Sequence, residues 1–163
     1  MFVTHPIPPV WSADSRVLIL GSFPSVKSRE AMFFYGHPQN RFWRVVASVF
    51  GEPFPETVPE RRAFLLQHRI AAWDVIASCE IDGSSDASIR NATVNDLRPI
   101  LNGASIDRIF VNGRTAERLY RKYAEPMTHR EAICLPSTSP ANAAWSLERL
   151  TEAWRVIAQP AEY

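Results

Sequence analysis

Two segments decide how this chain is read: Val17-Leu18-Ile19-Leu20-Gly21-Ser22-Phe23-Pro24-Ser25 and, after a short polar connection, Phe33-Phe34-Tyr35-Gly36-His37-Pro38-Gln39-Asn40-Arg41-Phe42-Trp43. Val17 to Leu20 is an unbroken apolar run closed by Gly21, the pattern of a parallel strand buried on both faces. Gly21 to Ser25 is then a loop at the strand's C-terminal end, where open α/β sheets place their ligands. The second segment brings an aromatic cluster, a His-Pro turn and Asn40 to the start of a helix. Strand, loop and helix start frame a pocket for something flat and polar-edged.

Outward from there the chain alternates. From Asn40 to Phe50 the residues Phe42, Val45, Val46, Val49 and Phe50 line one face of an amphipathic helix, which Gly51-Glu52-Pro53 ends. Thr57-Val58-Pro59-Glu60 reads as a capped start for a second helix, running to about His68. Ile70–Ala77 is a second buried strand, interrupted only by Asp74. Cys79 to Asn91 is a polar loop, and a helix near Val94–Leu101 leads to a third strand at Asp107–Val111. Asn112-Gly113 closes that strand and is assigned no chemistry. Thr115 to Tyr123 is helical, with Arg118, Arg121 and Lys122 placed late to suit the macrodipole. Glu131–Leu135 is a fourth strand, and a long helix follows Pro136-Ser137-Thr138-Ser139-Pro140 to about Gln159. The proline-rich stretch before Arg16 is an extended lead-in laid over the surface. The pattern predicts one α/β domain over residues 1–163: a three-layer α/β/α sandwich with a four-stranded, mainly parallel central sheet. Loops after its first, second and fourth strands share the C-terminal edge.

A chain of 163 residues is long enough for one well-buried core. The formal net charge is +1, which does not announce a nucleic-acid binder, and only Lys27 and Lys122 among 18 basic residues are lysines. Schiff-base chemistry therefore has two candidate amines. Cys79 and Cys134 lie far apart in apolar segments and read as reduced core cysteines of a cytosolic protein, a single buried disulfide being the alternative. Histidines and cysteines are scattered, so no metal or iron–sulfur cofactor is expected. No leader-like or membrane-spanning run is present, and a cytoplasmic monomer is expected.

Several residues carry two readings each. Asn40 stands where a helix cap is needed, yet an amide there can also hold a water or a ligand carbonyl. Tyr35 and His37 are core packing or a platform for a ligand. Phe23, in a loop between Ser22 and Pro24, needs something to stack upon. Asp74 is the sharpest anomaly: a carboxylate in an apolar strand costs several kcal/mol unless paired. It caps a helix, pairs with a buried arginine, or accepts a hydrogen bond from a ligand N–H. Ser139-Pro140 is a good helix start and equally a place where backbone N–H groups meet an anion.

The segment from Phe33 to Val46 resembles the hallmark of mismatch-specific uracil-DNA and thymine-DNA glycosylases. L-P-S-T-S-P-A-N-A and S-L-E-R-L-T-E-A-W-R resemble the last loop and helix of that superfamily. The forms G-S-F-P-S, C-E-I-D-G-S-S-D-A-S-I and L-P-S-T-S-P-A-N look like the DNA-deoxyinosine (hypoxanthine-DNA) glycosylase branch. The resemblance spans about Val17 to Ile157. It implies an enzyme that flips a deaminated base from DNA and hydrolyses its N-glycosidic bond without metal or cofactor. Carried over residue by residue, Asn40 is catalytic, Tyr35 stacks on the flipped base, and Asp74 contacts the base, with Gly21, Ser22 and Phe23 lining its site. Pro136 to Pro140 enters the minor groove, so Ser137, Thr138 and Ser139, with Ser25, Ser85 and Asn142, face the DNA.

One departure matters. The mismatch and thymine enzymes read Gly-x-Asn-Pro-Gly in the first loop, and their asparagine positions the attacking water; here that place is Phe23. Losing such a group typically costs about 10²–10⁴ in rate. Asn40 is the candidate to compensate, and efficient uracil removal is not expected. Damaged DNA is the expected partner and hypoxanthine the expected base. The alternatives are a uracil- or xanthine-preferring enzyme of the same fold, a lesion-binding protein that does not cleave, and a hydrolase of free nucleosides.

Overall fold

The computed structural model describes residues 1–160. In chain order the strands are β1 (Phe2–Thr4), β2 (Val17–Gly21), β3 (Ile70–Asp74), β4 (Ile76–Glu80), β5 (Arg90–Val94), β6 (Arg108–Asn112) and β7 (Ala132–Leu135). The helices are α1 (Val26–Ala31), α2 (Phe42–Phe50), α3 (Val58–Gln67), α4 (Arg98–Gly103), α5 (Arg114–Leu119), α6 (Glu125–Thr128) and α7 (Leu147–Trp154). The central sheet is parallel, in the order β3-β2-β6-β7, with helices on both faces. This is the expected three-layer sandwich.

The apolar run at Val17 forms an inner strand because both its neighbours are strands and both its faces meet helices. Ile19 points into the core built from Phe42, Trp43, Val46, Leu150 and Trp154. Leu18 and Leu20 point the other way, into a core with Leu97, Ile100, Leu119 and Tyr120. That alternation is the period of two of an extended chain. α2 buries Phe42, Trp43, Val45, Val46 and Ala47, and ends where Gly51 takes the left-handed conformation at φ 65°. The Thr57 hydroxyl accepts the Glu60 N–H at 3.2 Å and caps α3, as the sequence predicts.

The register sets the functional edge. Gly21 lies beside Asp74, Leu20 beside Val111, and Asn112 beside Leu135. Gly21, Asp74 and Asn112 thus end three adjacent parallel strands on one side of the sheet.

Five stretches differ from the sequence expectation, most of them through a pairing remote in the chain. The strand over Ile70–Ala77 is two strands. The Val75 and Ile76 N–H groups bond to Gly21 O and Ser22 O, where β2 ends, and the chain then enters a second, antiparallel sheet, β1-β4-β5. The polar loop over Cys79–Asn91 is correspondingly shorter, its ends belonging to β4 and β5. The helix near Val94 begins at Arg98, because Val94 pairs with Ile76. The segment before α7 does not start at Pro140; it wraps as turns until Ser146, whose hydroxyl caps α7 by accepting the Arg149 N–H. Finally, the N-terminal lead-in contributes β1, and Val10 bridges Ala72 on β3. Among the described residues no helix is long and apolar enough to cross a membrane. Cys79 and Cys134 are both free thiols.

Candidate active site

A cavity of about 240 Å³ opens at the C-terminal edge of the central sheet. That is below the roughly 300 Å³ at which pockets for drug-sized ligands begin, a size suited to one heterocycle. Its walls come from the loop after β2, the Phe34–Asn40 segment, Asp74, Asn112, Ser84 and Asp86, and the Ser137–Pro140 turn.

Asp74 ends β3 and is 4% exposed. Its partner is neither a helix end nor an arginine. His5 Nε2 lies 2.7 Å from Asp74 Oδ2. Because the Ile7 N–H donates to His5 Nδ1 at 3.2 Å, Nδ1 is an acceptor and Nε2 carries the hydrogen that Asp74 accepts. Asp74 Oδ1 has no hydrogen-bond partner among the described residues, and Asp74 lines the cavity. Gly21 sits against it: a Cβ at Gly21 would stand 2.4 Å from Asp74 Oδ1 and 3.2 Å from the Tyr35 hydroxyl. Only glycine permits that approach.

Tyr35 holds a left-handed backbone, φ 53°, at a cost on the order of 1–2 kcal/mol. Its ring stacks on Phe42, centroids 4.0 Å apart and planes 21° from parallel, so one ring face is taken by the core. Its hydroxyl is buried without a hydrogen-bond partner among the described residues. Burial first, and then the charge of Asp74, push its pKa far above the usual phenol range; the Asn112 carboxamide works the other way. The hydroxyl stays protonated.

Asn40 is bound more tightly than a solvent-facing amide. Its Oδ1 accepts both the Phe42 N–H at 2.9 Å and the Thr138 hydroxyl at 2.9 Å. The first bond closes a turn onto the first residue of α2 from one position before the N-cap, which is Arg41 and not Asn40 as the sequence suggests. Thr138 is held from behind, its Oγ1 accepting from Asn112 Nδ2 at 2.9 Å and its N–H donating to Asn112 Oδ1 at 3.1 Å. Both acceptor positions of Asn40 are therefore filled, and what it offers the cavity is the Nδ2 donor. Its carbonyl cannot orient a water by accepting from it. Asn112, given no chemistry from sequence, is part of this frame. No local pattern signals it, since its partner lies on the loop after β7.

Phe23 is 6% exposed and finds the contact a loop phenylalanine requires, standing edge-on to the His5 ring at 5.8 Å and 85°. Beside it, the Ser22 hydroxyl donates to Asp86 Oδ1 at 2.9 Å. Burial and the charge of Asp74 raise the Asp86 pKa, while the Ser22 bond opposes the shift. Asp86, at the head of a short 3₁₀ turn (Asp86–Ser88), carries no signal of its own in the sequence, where its neighbour Ser85 is the expected contact.

Ten of the expected site residues line the cavity: Gly21, Ser22, Phe23, Ser25, Tyr35, Asn40, Asp74, Ser137, Thr138 and Ser139. Ser85 and Asn142 instead line an adjoining groove of about 910 Å³ between the Ser84–Ala87 turn and the Pro136–Trp145 segment. Two expected DNA contacts have hydroxyls spent within the fold. Thr138 is fully buried, and its hydrogen goes to Asn40. The Ser25 hydroxyl caps α1 and bonds Ser28 Oγ. Arg41 staples the Ser137–Asn142 turn to the start of α2, donating to the carbonyls of Ser139, Asn142 and Trp145. Among the described residues no three His, Cys, Asp or Glu side chains cluster as metal ligands.

The site thus presents an acceptor (Asp74 Oδ1), a carboxylate (Asp86), an amide donor (Asn40 Nδ2) and an aromatic wall (Tyr35, Phe34). Comparison with known proteins gives this arrangement a family. A Hypoxanthine DNA glycosylase of Methanosarcina acetivorans is 34% identical over 152 residues, covering 92% of this chain and 94% of that one. One of Methanosarcina barkeri is 30% identical over 149 residues, covering 90% and 92%. A solution NMR structure of a candidate uracil DNA glycosylase from Methanosarcina acetivorans superposes with a TM-score of 0.78 at 32% identity, covering 97% of this chain and 98% of that one. Residues 8–158 match the family described as the Uracil DNA glycosylase superfamily, and the chain belongs to that superfamily.

Proposed function

We propose that the protein is a monofunctional DNA glycosylase that flips deoxyinosine out of damaged DNA and hydrolyses its N-glycosidic bond. The carrying observation is Asp74 Oδ1, an acceptor left open at the cavity. Deamination of adenine converts N1 from an acceptor into an N–H donor, so a carboxylate oxygen at that edge accepts hypoxanthine and repels adenine. Guanine shares the N1 donor, and the small cavity must exclude its 2-amino group. Unstacking costs a few kcal/mol and less at a mispaired base, a second filter that needs no side chain. The names of the relatives in Methanosarcina agree with this substrate.

In the reaction a water oxygen bonds to C1′ as the C1′–N9 bond breaks, and the bonding pair leaves with the base. Asn40 Nδ2 holds the water by donating to its oxygen. Asp86, fixed by Ser22 beside the Phe23 position, takes the proton the water loses, which supplies the acceptor that Phe23 lacks. Burial and the charge of Asp74 raise its pKa above the usual aspartate range, which makes it a stronger base than an ordinary aspartate. The backbone N–H groups of Ser22 and Phe23, without acceptors among the described residues, face the charge growing on the base. Each well-aimed donor contributes on the order of 3 kcal/mol to such a transition state. Tyr35 forms the wall against which the base lies. Ser137, Ser139 and Asn142 with Ser85 meet the DNA through the groove, and Ser25 and Thr138 act through their backbone and their support of α1 and Asn40. The whole chain works as one domain, a monomer acting on chromosomal DNA in the cytoplasm, and uses no metal or cofactor.

The test is excision from duplexes carrying a single deoxyinosine, uracil or xanthine, resolved after alkali treatment, with Asn40→Ala and Asp74→Ala alongside. Preference for deoxyinosine, dependence of strand scission on alkali, and loss in both variants are expected. Binding without product would replace the proposal by the non-cleaving reading, and undiminished activity in both variants would remove the site assignment.

A further inference from the structure

We infer that His5 is a positioning residue for base selection: from the N-terminal segment it holds Asp74 as a hydrogen-bond acceptor with Oδ1 turned to the cavity. The inference rests on the reading of Asp74 as the contact to the base edge.

His5 precedes residues 8–158, over which the superfamily pattern runs, yet its side chain is 3% exposed and bonded to Asp74 across 69 positions of sequence. The segment carrying it is tied down along its length. Phe2, Val3 and Thr4 pair with Glu80, Cys79 and Ser78, and the His5 N–H bonds Ala77 O at 2.7 Å. Beyond it, Trp73 Nε1 donates to Ile7 O at 3.1 Å, and Val10 exchanges two backbone bonds with Ala72. Phe23, Trp73 and Phe34 enclose the ring.

This cage fixes the proton. The Ile7 N–H points at Nδ1, so a hydrogen on Nδ1 would set donor against donor. The ring is held neutral with its hydrogen on Nε2, and that hydrogen occupies Asp74 Oδ2. A protonated carboxyl at Oδ2 would in turn face the Nε2 hydrogen. With Oδ2 committed to the Nε2 hydrogen, the Asp74 carboxylate offers Oδ1 to the cavity as its acceptor. Phe23 packs its edge on the same imidazole, so the first loop and the N-terminal histidine form one unit.

His5→Phe keeps the ring and removes both nitrogens; His5→Gln restores an N–H donor. Single-turnover excision of deoxyinosine should fall on the order of 10- to 100-fold in His5→Phe, the range for losing one hydrogen bond to a charged group. The Kd for a duplex bearing a baseless tetrahydrofuran site, which offers Asp74 nothing, should not change, and His5→Gln should recover most of the rate. Equal losses in rate and in tetrahydrofuran binding, or a His5→Phe variant with the wild-type rate, would overturn the inference. Asp74→Asn separates the two layers. If it keeps the wild-type preference for deoxyinosine, the reading of Asp74 fails; if it loses that preference while His5→Phe does not, the role of His5 alone fails. Imidazole ¹⁵N shifts of the unaltered protein give a measurement that no folding defect can confound. Nδ1 bare and Nε2 protonated is expected, and a proton on Nδ1 would overturn the inference.

Discussion

Replacing Gly21 with alanine is the sharpest probe of the cavity floor. The added Cβ would stand 2.4 Å from Asp74 Oδ1, about 1 Å inside ordinary contact, and 3.2 Å from the Tyr35 hydroxyl. Asp74 cannot simply swing away: its Oδ2 is held by His5 at 2.7 Å, and the peptide that follows it is pinned on both sides, the Asp74 carbonyl accepting from Asn95 Nδ2 and the Val75 N–H donating to Gly21 O. The methyl group must therefore displace the carboxylate or push β2 from β3. Overpacking of this kind costs about 1–3 kcal/mol, or roughly 2–4 °C in Tm for each kcal/mol in a chain of this size. A misplacement of about 1 Å at a reacting group costs on the order of 10²-fold in rate. Gly103→Ala provides the control, because its Cβ would meet Trp11 at 2.5 Å outside the set of residues lining the cavity. Thermal melts and single-turnover excision of deoxyinosine, run on both variants, separate the effects. Gly103→Ala should lose stability and keep its rate per folded molecule, whereas Gly21→Ala should lose both. A Gly21→Ala protein with the wild-type rate would refute the placement of Asp74 at the base.

Asn40→Asp keeps an acceptor for the Phe42 N–H and the Thr138 hydroxyl but removes the Nδ2 donor, so the excision rate should drop about 10²–10³-fold with little loss in Tm; a large loss of Tm with an intact rate would return Asn40 to a purely structural part. Asp86→Asn should slow excision by about 10²–10⁴-fold. In the wild-type protein the same residue should produce an acid limb. Its pKa is raised by burial and by Asp74, and the reactive form is the carboxylate, so rate is lost as pH falls through a value above the usual aspartate range. The limb should vanish from the residual activity of Asp86→Asn. Tyr35→Phe removes a buried hydroxyl that has no partner, whose desolvation costs about 1–3 kcal/mol, so Tm should hold or rise. A fall in Tm would mean that the hydroxyl is bonded.

The central strand, the helix of Phe42 to Phe50 and the threonine-capped α3 were legible in the sequence because burial writes itself locally. An inner parallel strand must be apolar at every position, and a one-sided helix must repeat its apolar residues every three to four. The likeness of the Phe33–Val46 segment and the Pro136–Asn142 loop to known glycosylases was legible for a related reason: each lies within one continuous stretch. Asp74 announced itself as a charge in an apolar run. What answers that charge was invisible, because His5 lies in a proline-rich lead-in with no periodicity. Asp86 was hidden similarly within a run of polar residues that all look alike until Ser22 selects one. The division of Ile70–Ala77 into two strands also depends on where β2 stops, which neither half of that apolar run encodes.

By itself, then, the amino-acid order determined the central strand and its main packing helices, the α/β/α layering and the edge of the sheet where the ligand belongs, since these follow from side-chain polarity over a few consecutive residues. Tertiary structure alone decided which atoms remain free there. Asn40 keeps a donor and not an acceptor because Thr138, 98 residues away, fills its carbonyl. Asp74 turns one oxygen and not two to the cavity because His5, oriented by Ile7, occupies the other. Hydrogen-bond capacity is finite at each atom, and its allocation among partners distant in sequence is settled only when the chain is folded.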